Sequence, residues 1–498
     1  MRRTIPSSLA ATAPLASPPA RKEDEGLDVT LTLRALTPIV GGGVEAGRPD
    51  KVDIVRVPGI RGHLRSFWRA LGDETDHQEL RRRERDLWGG VPGVGEDSAS
   101  TKASRVGVQV RVRDRDRGVS APAGYHVTNA SGQLKAQAEW DQNPTVNRAL
   151  GYALFPLQIN EEDRRTRQHE GRVPTGEWRR GAVFDVRITC PGNTSPLTDP
   201  GAAGELDRLL GALWWWVHFG GIGARTSRGF GALAIDNAKG LPLHWRSRFE
   251  APSADQLRRW LAAAPTPRAL AGPDTWRTLR RHEFLFARRP EPTPERAHIA
   301  ALAALREFRQ GVGVGRAQGK TRQEGQSHWP EAHMMRLVAE REWGIHGRWE
   351  HPPPRGRDDD FKRNGTWAAP RAAFGLPLGI QFKDRGEKAA GGWIHMSRFP
   401  SPLRLRPLAL KDGNYAAVCL LLAGRPDTEA LVVTQKMSTG HDDKVVKIDW
   451  QIDPAKQAAG EPLRPFLGPA NGDAVKAFAI YLEKRLGFER VKGLKEAG

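Results

Sequence analysis

Apolar and polar residues alternate from the start of the first patterned stretch, LDVTLTLRAL, with Leu27, Val29, Leu31, Leu33 and Ala35 on one side. That is the period of a strand with one face buried. GIRGHLRSFWRALGDE then carries Leu64, Phe67, Trp68 and Leu71 at i, i+3, i+4 and i+7, an apolar helical stripe. Alternation returns in SRVGVQVRVRDR through Val106, Val108, Val110 and Val112, and again in GAVFDVRITC. Between these two strands, from about 114 to 180, the chain is mostly charged or turn-forming, with a short apolar island at YALFPL. GELDRLLGALWWWVHFGG predicts a strong helix ended by two glycines, and FGALAI closes the set as a strand. The order is β-α-β-insert-β-α-β, the ferredoxin-like (RRM-like) split βαβ arrangement.

A second block follows the Pro/Ala-rich stretch near 251–273. TLRRHEFLFARR reads as a strand and PERAHIAALAALREFRQ as a helix. LPLGIQFKD, LRLRPLAL, YAAVCLLLA and ALVVTQK supply further strands, and NGDAVKAFAIYLEKRLGF a late helix. The expected class is α+β, with two ferredoxin-like βαββαβ units carrying long inserts. The expected divisions are a disordered tail over 1–26, an N-terminal domain over 27–250, and a C-terminal domain over 275–498 with an insert from about 311 to 370.

Composition adds a partner class. Lys plus Arg outnumber Asp plus Glu, 77 to 58, for a formal charge of +19 spread along the 498 residues. A basic body of this kind attracts polyanions. The two cysteines, Cys190 and Cys419, cannot build a disulfide framework or a thiolate zinc site, which suits a reducing cytoplasm. No stretch approaches the ~20 apolar residues of a spanning helix.

Residues 220–233, GGIGARTSRGFGAL, hold five glycines, two arginines and two hydroxyl side chains. A nucleotide phosphate loop lies after a strand and before a helix, whose N-terminus receives the anion. This loop joins a helix to a strand and is neither the Walker nor the Rossmann kind. Glycines let main-chain N–H groups approach phosphate oxygens, and Arg225 and Arg228 add multi-donor cations. The bland alternative is a glycine turn required by close packing. RGFGALAI matches the first four places of an RNA-recognition signature, but Ala232 and Ile235 stand where stacking aromatics belong. Gripping the backbone is therefore the expected mode.

In the helix after residue 59, Arg61, Arg65 and Arg69 form a stripe expected to line a cleft edge, with Arg48 and Lys51 just upstream. GVGVGRAQGKT imitates a phosphate loop, yet Val314 occupies the place of its first glycine. It reads better as a basic segment offering Arg316, Lys320, Arg322, His328 and Trp329. Fourteen histidines are scattered without metal-ligand spacing, so neither a metal site nor a cofactor is expected. His218, just before the glycine loop, is the one candidate general base, and packing among tryptophans is its ordinary alternative role.

Taken together these stretches resemble a known family. GGIGARTSRGFGAL is similar to the glycine-rich signature of the RAMP superfamily of CRISPR RNA-binding proteins. LTPIVGGG, VPGIRGHLRSFWRALG and ERDLWGG resemble the subunit-one family of type III-B Cmr effector complexes, as do SHWPEAHMMRL, PRAAFGLPLGIQFKD and SPLRLRPLAL. Ser66 and His328 depart from its pattern. The resemblance implies two RAMP domains without nuclease activity, at the end of a filament that carries the 3′ part of the guide RNA. The implied partners are guide RNA, target single-stranded RNA, the backbone subunits and the other subunit capping the 3′ end. By position it carries over Arg61, Arg65, Trp68 and Arg69, then Gly221, Gly223, Arg225, Arg228, Gly229 and Gly231; Ser227 in the same loop is a further candidate RNA contact. In the second half it carries over Ser327, Trp329, Pro330, Arg371 and Phe374. Two other classes stay open: a metal-independent endoribonuclease acting on CRISPR repeat RNA, and a scaffold that meets only proteins.

Overall fold

The computed structural model describes residues 26–43, 50, 53–74, 76–90, 101–114, 119–120, 127–128, 134–135, 144–154, 178–179, 181–191, 200–267, 279–319, 324–344, 367–380, 382, 391–425, 432–437, 440–445, 448–451 and 461–492. The fold is α+β and contains the same ferredoxin-like winding twice. In the first sheet, β1 (Leu27–Ala35), β2 (Gly107–Asp114), β3 (Val183–Cys190) and β4 (Leu233–Lys239) lie in the order β2-β3-β1-β4, all neighbours antiparallel. Helix α1 (Val57–Ala70) connects β1 to β2, and α2 (Pro200–Phe219) connects β3 to β4. In the second sheet, β5 (Glu283–Ala287), β6 (Leu403–Ala409), β7 (Tyr415–Leu421) and β8 (Phe488–Lys492) follow the matching order β6-β7-β5-β8. Its helices are α3 (Pro294–Gln310) and α4 (Ala474–Leu486).

The burial of each sheet explains its sequence pattern. Val29, Leu31, Leu33, Phe184, Val186 and Ile188 point into one core with both helices of the first unit. The opposite face carries ion pairs such as Arg187 with Asp28 and Arg113 with Asp185. The second sheet is buried on both faces. Leu285, Leu405 and Cys419 pack on α3 and α4, while Phe284, Leu408, Val418 and Leu420 pack on the first unit. A strand covered on both sides needs a continuous apolar run, as in YAAVCLL. It also explains why α2 is apolar all round. Trp215 of α2 stacks on Phe284 of β5 with ring centroids 5.7 Å apart.

Local signals set the helix ends. The Thr293 side chain accepts from the Arg296 amide at the start of α3, and Asp473 accepts from Val475 and Lys476 at the start of α4. Gly487, at φ 68°, ends α4 in the left-handed region.

Several features lie outside the sequence expectations. Strand β8, FERVK, alternates with charges and ends the second sheet at its edge. LPLGIQFKD and ALVVTQK join no core strand. They belong to a separate sheet of Leu376–Ile380, Gly392–Phe399, Val432–Met437 and Gly440–Val445. The first insert contributes a helix, Pro144–Leu154, whose Ala149, Leu150, Ala153 and Leu154 join the core of the second unit. An unforeseen helix, His77–Trp88, follows α1. Residues 1–25 of the expected tail lie outside the described residues. Among the described residues no helix is long and apolar enough to cross a membrane.

Candidate nucleic-acid interface

The glycine loop is threaded through a second glycine segment. The Ala224 amide donates to the Val40 carbonyl at 2.6 Å, that of Gly231 to Pro38 at 2.9 Å, and that of Leu36 to Ala232 at 2.7 Å. A Cβ on Gly42 would lie 3.0 Å from the Gly223 Cα, so GGG at 41–43 and GIG at 221–223 pack backbone against backbone. Gly221 is buried and turns the chain out of α2. The close-packing role weighed for these glycines is realised. Gly229, at φ 82°, faces the Leu405 carbonyl of β6, which a Cβ would approach to 2.5 Å. Gly231, at φ 60°, likewise faces the Ile222 carbonyl. Just before Gly229, Thr226–Arg228 form one 3₁₀ turn, with Ser227 half-buried.

The second unit clamps this loop. The His298 Nε2 lies 2.6 Å from the Arg228 carbonyl, and Thr37 donates its hydroxyl to the Gly229 carbonyl at 2.6 Å. Arg406 of β6 is 1% exposed. It donates to the Val217 carbonyl at 3.1 Å, at the end of α2, and to the Leu233 carbonyl at 2.9 Å. A cation at a helix C-terminus is stabilised by the unpaired carbonyls there. Burial nonetheless pulls the Arg406 guanidinium down to about 9.

Guanidiniums gather where this loop meets the second unit. Arg228 is buried and donates to the Ser401 hydroxyl at 3.3 Å. Its pKa is pulled down to about 10 by burial, with repulsion from Arg225 and Arg309 in the same direction. Half-buried Arg225 donates to the Ala153 carbonyl at 2.8 Å, at the end of helix Pro144–Leu154. Arg309, in the last turn of α3, donates to the Tyr152 hydroxyl at 2.7 Å and lies 5.2 Å from the Phe374 ring centroid. Arg371 is buried against Glu331, Nε to Oε2 at 3.0 Å. Burial lowers its pKa, Glu331 opposes this, and Arg309 and Arg316 add repulsion. Arg309 thus links two groups, Arg225 with Arg228 and Arg316 with Arg371.

Other candidates lie elsewhere. The arginine stripe meets partners within the fold. Arg65 and Arg69 both donate to one Glu84 oxygen, at 2.7 and 2.5 Å, and Arg61 caps helix His77–Trp88 by donating to the Trp88 carbonyl. Trp68 is fully buried and offers no ring to a base; the Arg208 guanidinium lies 3.5 Å from its ring centroid. Trp329, 2% exposed, packs edge-on to Phe308 at 5.4 Å and is likewise a core residue. His328 turns its Nδ1 to the Val314 carbonyl at 2.7 Å, closing the hairpin that holds half-buried Arg316. His218 is buried among Trp214, Phe249 and Trp260, and burial holds its pKa well below the usual range, so packing is its role here. Arg48, Lys51, Lys320 and Arg322 lie outside the described residues. Among the described residues no cluster of three His, Cys, Asp or Glu could hold a metal ion.

Residues 32–234 match the model of the RAMP superfamily, from within β1 through the glycine loop into β4. This segment is a RAMP-superfamily domain. No curated protein matches the chain. Among solved structures, apo Cmr1 from Pyrococcus furiosus is similar over 80% of this chain and 88% of its own, at 13% identity and a TM-score of 0.42. A chain of a type III-B Cmr-beta complex bound to cognate target RNA is similar over 81% of this chain and 97% of its own, at 13% identity and a TM-score of 0.41.

The RAMP domain's loop is completed by residues that motif reading passed over. Arg406 had a visible signal, since LRLRPLAL puts Arg404 and Arg406 on the side of a strand shared with buried Leu408. Inward charges on an apolar strand need partners. Thr37, Tyr152, His298 and Arg309 carried no such signal, because only the tertiary fold brings their elements to the loop.

Proposed function

We propose that the chain is a non-catalytic RNA-binding subunit of a type III-B CRISPR Cmr effector complex. In this role it holds guide or target single-stranded RNA near the 3′ end of the guide, beside the backbone subunits and the other capping subunit. The observation that carries the reading is the gathering of Arg225, Arg228, Arg309, Arg316 and Arg371 where the glycine loop of the RAMP domain meets the second unit. Like charges gathered in one place cost energy that a polyanion would offset. Half-buried Arg225, Arg309 and Arg316 are the groups that would touch phosphates. Buried Arg228 and Arg371 lie behind them, shaping the loops and adding to the field. Burial of His218 among aromatic rings speaks against a histidine-centred ribonuclease reading.

The test is binding of labelled single-stranded RNA across a salt series. Replacing Arg225 and Arg316 together with Gln should weaken binding about 10-fold or more at low salt, equally for unrelated sequences. The log–log salt slope should become shallower by about 0.7 for each phosphate that the variant no longer neutralises. A double variant with wild-type affinity and slope would overturn the assignment of this surface.

A further inference from the structure

Four large apolar side chains stand out as exposed among the described residues: Leu243, Val312, Trp393 and Leu486. Trp393 is the aromatic one, 42% exposed, whereas Trp68, Trp88, Trp214, Trp215, Trp216 and Trp329 are fully buried. It lies on strand Gly392–Phe399 of the separate sheet, directly opposite Gly379. Leu376, Leu378, Ile380 and Ile394 turn the other side of this sheet into the core. Pro377, Gly379 and Trp393 therefore share the open side.

The indole lies flat on its neighbour. A Cβ on Gly379 would stand 2.8, 3.0 and 3.1 Å from the consecutive ring atoms Cζ3, Cη2 and Cε3. Near-equal distances to three adjacent atoms belong to a point above the ring face. A point off the ring edge would be clearly farther from the outer two. One face of the ring thus rests on the glycine, and the opposite face turns away from the strand. By register Thr434 lies directly across from it, and Asp443 beyond. Half-buried His395 lies two residues along the same strand. By register Val432 and Val445 lie on the same open side, next to His395. The open face of the ring is a single aromatic plate. A plate of that kind suits a planar partner, and a chain of formal charge +19 draws polyanions to it.

We infer that Trp393 is a stacking surface for a base of single-stranded RNA, a contact separate from the glycine loop. It rests on the RNA-binding reading above. Stacking on an aromatic side chain is tolerant of sequence, so the site would take any base. It would also add no phosphate contact.

The experiment compares wild type, Trp393→Ala and Trp393→Phe for binding of a labelled uridine-rich 20-mer. A 5-iodouridine copy of the same RNA is photocrosslinked and the modified peptide identified by mass spectrometry. Trp393→Ala should bind about 10-fold more weakly with an unchanged salt slope, and Trp393→Phe should restore most of the affinity. The crosslink should fall on Trp393. Equal affinity of wild type and Trp393→Ala, with the crosslink elsewhere, overturns this inference alone. So does a variant that keeps its RNA affinity but no longer co-purifies with partner subunits, since that makes the plate a protein contact. Wild-type protein that binds no single-stranded RNA overturns the underlying reading as well.

Discussion

Two arginine-rich regions of this molecule look alike in sequence and differ in what is folded against them. In α1, Arg65 and Arg69 converge on one Glu84 oxygen, and Arg61 caps the helix that carries Glu84. At the glycine loop, Arg225 and Arg309 both repel Arg228, and Arg309 and Arg316 both repel Arg371. Both regions contain a carboxylate, yet the two carboxylates act differently. Glu84 draws on half-exposed guanidiniums, so it quenches surface charge. Glu331 is wholly buried and holds one buried guanidinium, that of Arg371, while Arg225, Arg309 and Arg316 are half-buried. A run of arginines is thus read only together with what is folded against it.

The contrast is tested hardest at Glu331. Its two oxygens take the Arg371 backbone amide at 2.6 Å and the Arg371 Nε at 3.0 Å. Glu331→Ala strands a buried cation and an amide together, and breaking a buried pair in this way costs about 3–5 kcal/mol. The urea midpoint should fall accordingly. Pairing Glu331→Leu with Arg371→Met should recover most of the loss, because the stranded charge goes too. A single variant as stable as wild type would mean that the site is wet, and the two regions would then be electrostatically equivalent.

A second, smaller effect comes from acid. Burial lowers His298, which touches the Arg228 carbonyl, to about 4 from an ordinary 6.5. His282, buried beside the Leu279 carbonyl, is likewise lowered to about 4. The unfolded chain therefore takes up protons that the folded chain refuses. Stability from each imidazole is complete above pH 6.5 and is lost as pH falls toward 4, up to about 3 kcal/mol apiece. His298→Gln keeps a donor for the Arg228 carbonyl and should flatten the fall in stability between pH 6.5 and 4. An identical pH profile for variant and wild type would show that the loop is not sealed beneath the second unit.

How much of this was legible depends on the distance over which each feature is decided. The strands and helices of both units follow local periodicity, and α3 starts at the Thr293-Pro294 signal that the sequence displays. The glycine loop was legible as a special segment, though not as a clamped one. Its partners, Pro38, Thr37, His298 and Leu405, come from three other elements. Helix His77–Trp88 was passed over because HQELRRRERDLW has almost no apolar stripe. Its readable mark was Asp76, whose side chain accepts from the Glu79 amide, with that acid in the first turn. Missing it hid Glu84, and so the α1 stripe looked free. Arg406 showed as an inward charge on an apolar strand, but its partners did not, since two of its hydrogen bonds run to carbonyls more than 170 residues away.

The smallest expected effect isolates the comparison best. Replacing Arg65 and Arg69 with Gln removes two charges that share the Glu84 carboxylate. RNA affinity should then change less than twofold, and stability by under about 1 kcal/mol for pairs this exposed. Glu84→Gln runs the experiment in reverse. It leaves both guanidiniums half-exposed and without that carboxylate. Binding of single-stranded RNA should rise by a few-fold at low salt, and the salt slope should steepen by up to about 0.7 for each phosphate newly neutralised. The gain should vanish above about 0.5 M salt, where screening is short-ranged. If Arg65→Gln with Arg69→Gln weakens RNA binding as much as Arg225→Gln with Arg316→Gln, internal neutralisation is not what separates the two regions. The stripe on α1 would then have to be restored to the interface.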